Sequence, residues 1–129
     1  MYKLSKRSLE RLQDVDSLLI AIAVDSVRES PYDFGIPLHG GKRTSAEQNA
    51  LWKLRPKVTN KDGYIKKSYH QSGKAFDIYA YVNGKANWDI EIITAIARHI
   101  QKVALNRYKV NLKWGGDWKN FKDYPHFQM

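Results

Sequence analysis

Apolar positions follow two different periods along this chain, and the change of period divides it into elements. From about Ser5 to Ser30 they recur at helical spacing in two pieces, with Asp16 placed to cap the second. The Ser30-Pro31 step ends that region, because a residue before proline is pushed out of helical geometry. Tyr32 to Leu38 reads as extended and leads into a His39-Gly40-Gly41 turn. Thr44-Ser-Ala-Glu47 is a capping box that opens a helix to about Leu54. A basic loop runs from Arg55 to Ser68 around an Asp62-Gly63 turn and is long for a compact domain, a property more common in functional loops.

Lys74 to Val82 then alternates strictly. Ala75, Asp77, Tyr79 and Tyr81 lie on one side and Phe76, Ile78, Ala80 and Val82 on the other, which predicts a strand closed by Asn83-Gly84. Helical spacing returns from about Trp88 to Asn106, with Asn87 as the expected cap and Ile92, Ile93, Ile96, Ile100 and Val103 as the apolar stripe. Asn111 to Trp114 and Tyr124 to Gln128 read as short extended pieces separated by Gly115-Gly116. These elements predict an α+β fold in a single domain, residues 1–129, with helices packed on a small antiparallel sheet that carries the later residues.

Composition narrows the function. The chain has 22 Lys and Arg against 13 Asp and Glu, a formal charge of +9, which favours a polyanionic neighbour without choosing among nucleic acid, anionic lipid and cell wall. Cysteine is absent, so disulfides, a thiol nucleophile and a thiolate metal site are excluded; a metal must rely on histidine and carboxylate. The apolar run Leu18 to Val24 is far short of the roughly 20 residues that cross a bilayer. Asp14 and Asp16 before it and Asp25 after it suit a buried helix rather than an export signal.

The segment Ser68-Tyr-His-Gln-Ser-Gly-Lys-Ala-Phe-Asp77 carries the chemistry. His70 leaves the basic loop, Gly73 permits a sharp turn, and Asp77 follows on the strand. Taken alone, the pair is equally consistent with a surface histidine and a hydrogen-bonded loop aspartate. Asp123-Tyr-Pro-His126 supplies a second histidine and another carboxylate. Two histidines and an aspartate as ligands, with one further carboxylate as base, match the hydrolytic zinc recipe, in which a fourth position stays open for water. His39, in its turn, and His99, beside the helix stripe, are not expected to touch metal. Arg43 reads either as a surface cation or as a group that stabilises an oxyanion or clamps a substrate carboxylate.

Ser68-x-His70-x-x-Gly73-x-Ala75-x-Asp77, Asp123-x-x-His126, and Gly41-Lys-Arg43-Thr44 with Glu47-Gln48 occur in the order found in the peptidase M15 family, which this chain resembles from about Ser30 onward. The resemblance implies the hedgehog/DD-peptidase fold and one Zn2+ on His70, Asp77 and His126. It further implies Asp123 as general base, Arg43 in substrate or transition-state contact, and Ser68 as a substrate-binding residue. Carboxypeptidase and dipeptidase members usually carry Glu where Asp123 stands; Asp123 with Tyr124-Pro125 is closer to the L-alanyl-D-glutamate endopeptidases that serve phages as endolysins. The expectation is therefore a monomeric zinc peptidase acting on the peptide stem of bacterial peptidoglycan. It would accumulate in the host cytoplasm without a signal peptide until a holin releases it to the wall of a host with thin peptidoglycan. A D-alanyl-D-alanine carboxypeptidase with the same site is the alternative, a basic nucleic-acid-binding protein is the alternative of another class, and a catalytically dead wall-binding relative is disfavoured by the complete set of site residues.

Overall fold

The computed structural model describes residues 1–129. In chain order the elements are α1 (Lys6–Arg11), α2 (Ser17–Val27), β1 (Asp33–Gly35), α3 (Ser45–Trp52), β2 (Ala75–Asp77), β3 (Tyr79–Val82), β4 (Lys85–Asn87), α4 (Ile90–Tyr108), β5 (Lys113–Trp114) and β6 (His126–Gln128). Short 3-10 turns at Tyr69–Ser72 and Gly115–Asp117 complete them.

Local chemistry accounts for most of the boundaries. Asp16 accepts the Leu18 N–H and starts α2, and Thr44 and Glu47 form the reciprocal box that starts α3. In α2 the buried positions are Leu19, Ile22, Ala23, Ser26 and Val27; in α4 they are Ile93, Ile96, Ala97, Ile100, Val103 and Ala104. Both sets fall at steps of three and four residues, so each helix presents one apolar stripe, and the two helices pack together. Phe34, Phe76, Ala80, Trp114 and Phe127 from the strands, and Ile78 between β2 and β3, join them in one core.

Three expectations are corrected. The antiparallel sheet is two sheets of three strands, ordered β1-β3-β4 and β2-β6-β5. The alternating run at 74–82 is accordingly two strands: at Ile78 the chain leaves one sheet for the other, and the Ile78 N–H is donated to Pro125 O at 3.0 Å. Ala75, Phe76 and Ile78 are all fully buried, because the two halves of the run face different neighbours. The cap of α4 is Asp89, whose carboxylate accepts the Glu91 and Ile92 N–H groups, because Asn87 is taken up in β4 opposite Ala80.

Candidate metal centre

The centre forms where β2 and β6 pair. Their antiparallel register sets Asp77 opposite His126 and Phe76 opposite Phe127. Side chains alternate across a strand, so one pair faces a cleft while the other enters the core, with rings 5.3 Å apart and nearly parallel. His70 comes from the adjoining 3-10 turn. Ser68 caps that turn by accepting the His70 N–H, and Gly73 closes it with a left-handed φ of 74°.

His70 Nε2, His126 Nδ1 and Asp77 Oδ1 form a triangle with every edge 3.1 Å. What lies behind each ring decides its tautomer. His70 Nδ1 is 2.8 Å from Gly41 O, a carbonyl that can only accept, so Nδ1 carries the proton. His126 Nε2 donates to Gln128 Oε1 at 2.7 Å. Each neutral imidazole therefore turns its lone pair toward the carboxylate, and three acceptors converge with no donor of their own. Such a triangle requires a cation or a proton at its centre. Tetrahedral bonds of 2.0–2.1 Å to N and O ligands would give edges of about 3.3 Å, close to those observed. The donor set and its spacing thus fit a divalent metal, and these three residues are the cluster able to hold one.

The electrostatics agree. Burial pushes the Asp77 carboxyl up, but the charge and hydrogen bonds that His70 and His126 supply when an imidazole takes up a proton outweigh it and hold Asp77 well below the usual carboxylate range. Burial pushes His126 down, while the hydrogen bond and charge of Asp77 more than reverse it, so His126 binds a proton more tightly than a free imidazole.

Arg43 is fixed by three separate acceptors: Nε donates to His39 O at 2.7 Å, Nη1 to Gln48 Oε1 at 3.0 Å and Nη2 to Asp77 Oδ2 at 3.1 Å. It therefore occupies one oxygen of Asp77 and leaves the other to the histidines. The strap that carries it is threaded through the centre, for Asp77 N donates to Gly40 O at 2.8 Å and Arg43 N to His70 O at 3.1 Å. Asp123 stands beside the triangle, half-buried, with Oδ2 3.9 Å from His126 Nδ1. Burial first, and the Asp77 carboxylate second, raise its pKa to about 6. Its backbone is anchored by the Asp123 N–H to Gly115 O bond at 3.0 Å, an approach so close that a Cβ on residue 115 would overlap the Asp123 carbonyl oxygen.

All of these groups open on a cleft of about 580 Å³. Leu38, Leu51, Leu54, Val58, Trp118 and Phe121 line it, together with Ser68 and Arg43. His39 is in the cleft lining but pairs with Glu47 at 3.0 Å, and His99 binds Ser26 O from the far helix, so neither joins the triangle. Sequence reasoning did not single out Gln128 or Trp118, and gave Gln48 no role beyond its place in the Glu47-Gln48 motif. Gln128 was within reach of it, since position 128 must share the face of His126 on a strand. Trp118 arrives from another element and left no local signal, and the motif gave no sign of the Gln48 contact with Arg43.

A family model described as phage L-alanyl-D-glutamate peptidase matches residues 1–128. The L-alanyl-D-glutamate peptidase of Escherichia phage T5 is 31% identical over 127 residues, covering 95% of this chain and 86% of that protein. The peptidoglycan L-alanyl-D-glutamate endopeptidase CwlK of Bacillus subtilis (strain 168) is 35% identical over 96 residues, 69% of this chain and 57% of its own length. Among solved structures, the Serratia marcescens L-Ala D-Glu endopeptidase ChiX superposes with a TM-score of 0.83 at 28% identity, over 99% of this chain and 90% of that one.

Proposed function

The chain belongs to the phage L-alanyl-D-glutamate peptidase family, and from that membership we propose that it is a zinc-dependent endopeptidase cutting the bond between L-alanine and D-glutamate in the peptidoglycan stem, serving a phage as endolysin. The observation that carries the metal dependence is the triangle of three lone pairs, each ring held in its tautomer from behind. His70, Asp77 and His126 would hold the zinc, whose chemistry there is to acidify a water molecule and polarise the scissile carbonyl.

The chain's own residues supply the rest. Asp123, with its pKa raised toward the working range, accepts a proton at its carboxylate when water attacks, and returns it to the departing amine. Arg43 keeps Asp77 turned so that a single oxygen faces the histidines. Arg43 also lines the cleft, where its guanidinium suits a substrate carboxylate or a developing oxyanion. Ser68 holds the turn bearing His70 and borders the same cleft, consistent with a substrate contact. Trp118, with its ring 5.3 Å from that of His126, shields the reacting centre from bulk water.

No helix of the chain is long and apolar enough to cross a membrane, and accumulation in the host cytoplasm followed by holin-dependent release belongs to the same reading. The test is mass spectrometry of digested peptidoglycan beside metal analysis of the purified protein. New amino-terminal D-glutamate with one zinc per chain is expected. Free D-alanine would instead identify a D-alanyl-D-alanine carboxypeptidase, and activity that survives exhaustive chelation would remove zinc from the mechanism.

A further inference from the structure

The loop between α3 and the His70 turn carries a feature that peptide hydrolysis does not use. Ile65 is 89% exposed and its neighbour Tyr64 58% exposed. Arg55, Lys57, Lys61, Lys66 and Lys67 on the same loop are all exposed, and none of them forms an ion pair. The one acid of the stretch, Asp62, is spent on the loop itself, accepting the Lys66 N–H at 2.7 Å and the Ile65 N–H at 3.4 Å.

This display is built. Three amide side chains clamp three consecutive carbonyls beneath it: Gln48 donates to Lys61 O at 3.0 Å, Asn49 to Asp62 O at 2.9 Å and Gln71 to Gly63 O at 2.8 Å. The two residues that follow are thereby held out into solvent. Nothing in the fold receives Ile65, and ordering an apolar side chain in water has no stabilising return within the chain.

The cations alone would suit any polyanion. A wall glycan, however, has no apolar interior to take Ile65, and a nucleic acid could take it only by unstacking its bases, at a cost of about a few kcal/mol per step. A bilayer with anionic headgroups satisfies both features, with phosphates for the ammonium groups, the headgroup boundary for the tyrosine ring and the outer acyl region for isoleucine. We propose that this loop, with Tyr64 and Ile65 at its tip, docks the protein onto an anionic phospholipid surface. Thr59 and Lys61 also line the catalytic cleft, so docking would hold the cleft mouth beside the bilayer.

Sedimentation with vesicles tests this without reference to peptidase activity. The protein should partition onto phosphatidylglycerol–phosphatidylethanolamine vesicles, remain in solution with phosphatidylcholine vesicles, and release as salt is raised. Ile65→Ser should weaken binding at least fivefold, whereas Leu105→Ser, which removes an apolar side chain 55% exposed on α4, should not. An unchanged circular dichroism spectrum and melting temperature for Ile65→Ser would establish that this variant is folded. Failure of the parent protein to bind the anionic vesicles overturns the proposal. So does wild-type binding by Ile65→Ser; if Lys66→Glu with Lys67→Glu then abolishes it, the loop is a patch for anionic polymers.

Discussion

Arg43 and Asp77 meet through a single 3.1 Å ion pair that divides the aspartate: one oxygen belongs to the guanidinium, the other to two imidazoles. The geometry of Asp77, the proposed ligand, is thus set from outside the triangle. Arg43→Lys keeps the charge but loses the planar fork that reaches His39, Gln48 and Asp77 together. Zinc affinity should fall about 10- to 100-fold, read by competition with a chromophoric chelator. Unchanged affinity with a reduced kcat would instead place Arg43 on the substrate alone.

His70→Ala, Asp77→Ala and His126→Ala should each lose zinc and activity together, since two ligands do not hold the ion against a chelator. Asp123→Asn should keep one zinc per chain and lose about 10²- to 10⁴-fold in kcat, the usual contribution of a positioned base. Metal analysis and turnover measured on the same preparations separate the two classes. An Asp123→Asn protein that still lyses cells would show that another group takes the proton.

The pH dependence follows from Asp123. Its pKa in the metal-free fold is about 6, above the ordinary carboxylate value, so the ionised form that can accept a proton is lost as pH falls through that region. Part of the elevation comes from the Asp77 charge, and a cation bound at Asp77 offsets it. The acid limb of kcat/KM for the zinc enzyme should therefore lie below pH 6, and zinc binding at pH 6 should release protons. Calorimetry in two buffers of different ionisation enthalpy counts them, and Asp123→Asn should lower the count.

Metal removal should also show in stability. Zinc at about a thousand times its Kd adds about 4 kcal/mol to the folded state. For a chain of this size that corresponds to about 12–20 °C in Tm, so a melt with and without a chelator measures it. His126→Ala should melt at the same temperature in both.

Much of this was legible beforehand because the signals are local. Asp16, Thr44 with Glu47, Gly73 and the isoleucine stripe of α4 act within one turn of their own positions, and each does what its pattern implies. The three site motifs could be read because their residue types have few other uses together. What could not be read arises between distant segments. The change of sheet at Ile78 depends on Pro125, and the shift of the α4 cap to Asp89 depends on β4 pairing with β3. Arg43's engagement depends on Gln48, which is fully buried although its position in α3 looks like any polar surface site.

Phe127 shows how closely the core and the site are joined. Phe127→Ala should cost about 3–5 kcal/mol, as a fully buried aromatic, and should also weaken zinc binding although the ring touches no ligand. Equilibrium unfolding and a zinc titration on the same variant test both effects.

The reason is the pairing of β2 with β6. Sliding one strand by a single residue would carry His126 into the hydrocarbon interior and turn Phe127 out into the cleft. The stacked phenylalanines therefore work as a combination lock: only one setting closes the interior, and that same setting aligns His126 with Asp77. Sequence drift that keeps the aromatic pair preserves the alignment of Asp77 with His126 without any direct constraint on those two side chains, so the geometry of the triangle is inherited from ordinary packing.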